Sequence, residues 1–92
     1  MKEANHHDYA QAHELVKKDV RRQVMKQISL WGFQRHTFEE WKAIFNEEFA
    51  EFECKVIVAR ETGYKELSHV VAVGMAWMID MKLKGKTECK EK

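Results

Sequence analysis

The residues whose types and spacing could do chemistry concentrate in Asn46-Glu47-Glu48-Phe49-Ala50-Glu51. These carboxylates sit inside a stretch where apolar residues recur at Trp41, Ile44, Phe45, Phe52 and Val56, the spacing of an amphipathic helix. At about 100° per residue, Glu48 falls within the arc of Trp41, Phe45 and Phe52. Glu51 lies beside Ile44, and Glu47 flanks both. Carboxylates on a core-facing stripe are costly unless something positive compensates them. Geometry alone leaves two readings open. One is a site for a divalent cation, which takes carboxylate oxygens. The other is an ordinary solvated helix edge. Lys55 follows Glu51 by four residues in the favourable order, and is the rival partner for that acid.

A second group, Glu66 and His69, falls near the start of the next helical stretch. Two helices joined by a turn as short as Glu61-Thr62-Gly63 must be antiparallel neighbours. The carboxylates of one helix then face Glu66 and His69 of the other if the stagger is right. Such an oxygen-rich set suits magnesium, which bridges phosphate oxygens and can activate a water, with a free carboxylate as general base.

The elements that must position these groups are helical throughout. The 92 residues make one domain, with no proline, four glycines and 34% charged residues. Three Trp, five Phe and five Met are a large apolar load for a chain with so thin a core, so an all-α bundle of about three helices completed by dimerisation or tetramerisation is expected. A net charge of +1 gives no global basic field for a nucleic acid polymer. The longest apolar run, Val70 to Ile79, is too short to span a bilayer, so no membrane partner is expected. Cys54 and Cys89 match no metal or redox spacing, and Lys2 to Asp8 is too polar for a signal peptide. A reduced, cytoplasmic protein fits.

The first helix is expected from an Asp8 N-cap to about Leu30, burying Tyr9, Ala12, Val16, Val20, Val24 and Ile28. Lys17, Lys18, Arg21, Arg22 and Lys26 form its solvated face. Gly32 ends it. The loop Trp31-Gly32-Phe33-Gln34-Arg35-His36 is rich in rings and hydrogen-bonding groups and can hold a planar ligand, although Phe33 equally suits a plug at the end of the bundle. Thr37 and Glu40 make a capping box that starts the second helix, expected to reach about Arg60. The third helix is expected from Tyr64 to Leu83, with Val70, Val73 and Trp77 inward and Gly74 marking a close crossing. Residues 1–7 and 84–92 are expected to be frayed tails.

At these positions the chain resembles the MazG-like group of all-α nucleoside triphosphate pyrophosphohydrolases, which carry EExxE followed by ExxD. The first motif reads Glu47-Glu48-Phe49-Ala50-Glu51 and the second Glu66-Leu67-Ser68-His69. Gln27, Trp31-Gly32, Gln34 and His36 resemble the Q…WG.Q.H stretch of small phage- or prophage-type members, and Val71-Ala72-Val73 with Ala76-Trp77 resembles their third helix. The resemblance implies cleavage of a (d)NTP between the α and β phosphates, giving a nucleoside monophosphate and pyrophosphate. It implies Mg²⁺, or Mn²⁺, held by Glu47, Glu48, Glu51 and Glu66, with Glu47 and Glu48 catalytic. It further implies Trp31, Gln34 and His36 near the nucleotide, and a dimeric or tetrameric assembly. Basic groups for the triphosphate would come from Lys55, Arg21, Arg22, Lys26, Arg35 or a second subunit, because the further basic helix of larger relatives is missing. His69 departs from the pattern by replacing an Asp. It is a metal ligand that shifts preference toward manganese or zinc, a donor behind the ligands, a structural histidine, or the mark of an attenuated site.

Overall fold

The computed structural model describes residues 5–87. They form helix α1 (His6–Trp31), helix α2 (Phe38–Glu53) continued by a π-helical turn (Cys54–Val58), and helix α3 (Tyr64–Thr87). Among the described residues there is no strand, in keeping with an all-α bundle. None of the described helices is long and apolar enough to cross a membrane.

Helix α3 is central and packs on both α1 and α2. Trp41 meets Asp80 and Glu48 meets His69, so α2 and α3 run antiparallel. Asp19 meets Tyr64, and farther along Val24 and Ile28 share a wall with Ala76 and Ile79, so α1 and α3 run parallel. The core is small and lies where the three helices meet: Val24, Trp41, Val70, Ala72 and Val73 are buried. Around it the rings of Phe38, Trp41 and Phe45 surround Trp77, with Trp41 stacked on Trp77 at 6.1 Å.

The caps explain the helix ends. Thr37 Oγ1 accepts from the Glu40 amide at 3.2 Å while Glu40 Oε1 accepts from the Thr37 amide at 2.9 Å, the reciprocal box expected from the sequence. Gly32 closes α1 at φ 74°. Gly63, at φ 71°, turns the chain so tightly over α2 that an added Cβ would meet Phe52 at 2.9 Å and Val56 at 3.0 Å.

Several expectations are corrected. Asn5, not Asp8, caps α1: its side chain accepts from the Asp8 amide at 2.8 Å, so Asp8 becomes a first-turn acid and His6 and His7 are helical rather than frayed. Of the expected α1 stripe only Val24 is buried. Val20 and Ile28 are half-buried, and Tyr9, Ala12 and Val16 are exposed. The second helix slips into π geometry at Cys54, where the Ala59 amide bonds five residues back to Cys54 O at 3.1 Å, and ends on Arg60 at φ 62°. The third helix runs past Leu83 to Thr87, because Lys84 is anchored to the His36 carbonyl and to Asp80. Of the expected tails 1–7 and 84–92, residues 1–4 and 88–92, with Cys89, lie outside the described residues. A Cβ on Gly74 would sit 3.9 Å from Phe45, an ordinary contact, so Gly74 does not mark a close crossing. Phe33 is 75% exposed and plugs nothing.

Candidate functional site

The loop between α1 and α2 turns on one buried carboxylate. Asp80 is 1% exposed. Its Oδ2 accepts from Trp41 Nε1 at 2.8 Å and from the His36 backbone amide at 3.0 Å, and its Oδ1 accepts from Arg35 Nε at 2.6 Å. Lys84 Nζ stands 3.4 Å away and also donates to the His36 carbonyl at 2.6 Å. Burial pushes the Asp80 carboxyl up, but donation from Trp41, the His36 amide, Arg35 and Lys84 outweighs it and holds the group well below the usual carboxylate range. The His36 main chain is therefore fixed at both its N–H and its C=O. Its ring stands edge-on to Trp41 at 4.7 Å, and its Nε2 pairs with Gln34 Oε1 at 2.8 Å.

This scaffold forms one wall of an open cleft of about 400 Å³ lined by Gln27, Trp31, Gln34, His36, Trp41, Ile44, Glu48, Val73 and Ala76. All three helices contribute to it. Trp31, 65% exposed, stands at its edge, and Glu48 brings the acidic stretch of α2 into it. A smaller cavity of about 30 Å³ adjoins through Gln27, Gln34 and Ala76, and Phe33 lies on its wall. The cleft thus offers flat aromatic surface and two side-chain amides together with a carboxylate. That is a constellation for a planar polar ligand with an electropositive or cation-bound extension.

Glu48 is half-buried, as its place inside the apolar arc of α2 requires. Burial raises its carboxyl above the ordinary range, Glu51 and Glu47 add to the rise by repulsion, and His69 opposes it. His69 Nδ1 lies 3.9 Å from Glu48 Oε1, an ion pair only when the imidazole is protonated. The remaining acids are less engaged. Glu47 and Glu51 are exposed and act on Glu48 through charge, while Glu66 is half-buried in the first turn of α3 and does not line the cleft. Among the described residues no group of three or more His, Cys, Asp or Glu side chains is placed to hold a metal ion as the side chains stand. The donor chemistry nonetheless suits a hard cation, whose charge would offset the burial and the acid repulsion that raise Glu48.

Of the sequence-predicted ligand-binding residues, Trp31, Gln34 and His36 come together in the cleft and Lys55 does not. The π-helical turn moves Lys55 out of register with Glu51, and its Nζ lies 3.8 Å from Glu61 instead. No lysine or arginine is among the residues lining the cleft. The pairing of Asp80 with Arg35 and Trp41 belongs to no local motif, because it spans some forty positions of sequence, and only Lys84, four residues on, is a near neighbour. One signal was present. Asp80 lies seven residues after Val73 and three after Trp77, on the same inward stripe, so the argument that singles out Glu48 applies equally to it.

Comparison with family models, with curated proteins and with solved structures gives no match for this chain.

Proposed function

We propose that the protein is a metal-dependent nucleoside triphosphate pyrophosphohydrolase, cleaving a (d)NTP between the α and β phosphates to (d)NMP and pyrophosphate. One observation carries the reading: a single cleft joins Trp31, Gln34 and His36 to Glu48 of the acidic cluster. The base would lie against Trp31 and His36, where stacking on aromatic rings favours a planar heterocycle. Glu47, Glu48, Glu51, Glu66 and His69 would hold Mg²⁺ or Mn²⁺. When bound, such an ion supplies positive charge to the phosphate oxygens. A carboxylate of the cluster left free of the ion would take the proton of the attacking water. Loss of pyrophosphate release from a panel of canonical and modified nucleotides on Glu48→Gln, in Mg²⁺ and in Mn²⁺, is the expected result. Turnover unchanged by that substitution would refute the assignment.

The cleft brings no cation of its own to a triphosphate, and self-association supplies one. Leu67, Val71, Met75 and Met78 form an exposed stripe on α3, the side turned away from α1 and α2. A helix apolar on this many sides is covered on more than two, so the working form is a dimer or tetramer whose second copy supplies basic groups. The basic face of α1, with Lys17, Lys18, Arg21 and Arg22, is the source within this chain. The cytoplasm, where nucleotides are abundant, is the compartment this reading implies.

A second reading is a nucleotide-binding or regulatory module without turnover. The favouring observation is His69, not a carboxylate, beside Glu48, together with the absence of a three-ligand cluster among the described residues. Nucleotide binding that persists in chelator, with no product formed, would select it.

A further inference from the structure

The first half of α1 has an apolar face that its own chain leaves uncovered. Residues 5–18 are all exposed. The first hydrogen bond from α1 to α3 is made by Asp19, which accepts from the hydroxyl of Tyr64, the residue that opens α3, at 2.6 Å. Residues 6–18 therefore form a helical arm of more than three turns. On it Tyr9, Ala12 and Val16 continue, at steps of three and four, the stripe that carries Val20, Val24 and Ile28 toward α3. A short helix with an unpacked apolar stripe is marginal in water, so the arm keeps its form by docking.

Helix α3 carries the matching surface. Leu67, Val71, Met75 and Met78 share its outer face, away from both α1 and α2. They span about 16 Å of helix, and the arm's stripe from Tyr9 to Val16 spans about 10 Å, so the one lies along the other. Because α1 and α3 are parallel, the arm projects past the end at which α3 starts. A two-fold axis across that end lays each arm antiparallel along α3 of the other copy. The acids sit at the same end. Glu48 is level with His69, little more than a turn into α3, and Glu51 and Glu66 lie nearer the end still. Lys17 and Arg21, four residues apart, flank the arm's stripe on one side and bring opposite charge to that level.

We infer that residues 6–18 are an exchanged arm. Each copy lays Tyr9, Ala12 and Val16 across the Leu67, Val71 and Met75 stripe of a second copy. It thereby carries Lys17 and Arg21 to the acidic end of that copy's cleft, where they meet the phosphates of the substrate. The delivery of charge rests on the nucleotide reading, and adds to it the segment that docks, the surface that receives it and the two cations it brings. The docking itself does not depend on that reading.

Cysteine cross-linking of the full chain, on a Cys54→Ser, Cys89→Ser background, tests the docking without any need for turnover. Val16→Cys is refolded in turn with Leu67→Cys, Val71→Cys and Met75→Cys and treated with a short bis-maleimide. All four replaced side chains are exposed, so the variants keep the fold. The expected result is a covalent pair between position 16 and the α3 stripe in at least one mixture, in excess of what either chain gives alone. No mixed product, or a Val16→Cys chain that links mainly to itself, overturns the inference. Subunit complementation tests the delivery. Lys17→Glu/Arg21→Glu and Glu48→Gln each lose most of their turnover alone. Refolded together they recover about a quarter of the wild-type rate, because about a quarter of the sites then pair an intact acid cluster with an intact arm. Full turnover by Lys17→Glu/Arg21→Glu alone, or a mixture as inactive as its parts, overturns the delivery. A wild type without turnover on any nucleotide refutes the nucleotide reading and the delivery with it, while the cross-link still decides the docking.

Discussion

Removing the Asp80 carboxylate should be the most damaging single change to the fold and should loosen the cleft with it. Asp80→Ala strands the indole N–H of Trp41, a residue 2% exposed, and the backbone amide of His36. Each buried donor left without a partner costs about 1–3 kcal/mol. Arg35 and Lys84 are partly exposed and return to water, so they add little. The sum is about 2–6 kcal/mol, which brackets the ~3–5 kcal/mol typical of breaking a buried ionic network. That is a large part of the ~5–15 kcal/mol that holds a typical domain together. Urea melts followed by tryptophan fluorescence, at one fixed protein concentration, would read this as a midpoint shift of more than about 1 M. Asp80→Asn should lose less, because its amide oxygen still accepts. The pH dependence has a definite sign. The folded carboxyl lies below its ordinary value, so its contribution is complete above the unfolded-state pKa of about 3.9 and fades as pH falls from there toward the folded value. The stability gap between wild type and Asp80→Ala should therefore be constant near neutrality and shrink below about pH 4. A gap under about 1 kcal/mol at neutral pH, or one that does not shrink in acid, would contradict the role given to Asp80.

Gly63→Ala should destabilise by about 2 kcal/mol or more, since it combines a left-handed backbone with contacts at 2.9–3.0 Å, and the same urea melts would measure it. Gly74→Ala should instead stabilise by up to about 1 kcal/mol, because the methyl group has room and the helix gains propensity. Glu48 has a raised carboxyl, so its ionised form opposes folding, and stability is lost as pH rises through its folded pKa. Glu48→Gln in chelator should accordingly stabilise the chain at pH 7 and flatten that part of the pH profile in thermal melts. Met78→Lys on the exposed α3 stripe should shift sedimentation toward monomer, and an unchanged assembly would remove that stripe from the interface.

Elements announced by local chemistry were legible in the sequence. The Thr37–Glu40 box, Gly32 and Gly63 each act within a few residues, and they mark the start of α2, the end of α1 and the turn before α3. The half-buried position of Glu48 followed from periodicity for the same reason. Interactions that close over long sequence separations were not legible. Lys84 extends α3 only because His36 and Asp80 are there to receive it. The π-helical turn at Cys54 redirects Lys55 from Glu51 to Glu61, and no residue type nearby signals that slip. The α1 stripe failed toward its N-terminal end, because a period says which residues share a face and not whether a neighbour reaches them. The acidic motif joins the loop residues in one cleft through Glu48 alone, since Glu47, Glu51 and Glu66 are not among the residues lining it.

The claim that this cleft turns over a nucleotide is tested most directly by phosphorus NMR of a nucleoside triphosphate panel incubated with the wild-type chain in Mg²⁺ or Mn²⁺. The account predicts the paired appearance of a nucleoside monophosphate and pyrophosphate for at least one nucleotide, lost in Glu48→Gln. Release of inorganic phosphate with a diphosphate, or no product from any nucleotide with either metal, would contradict it.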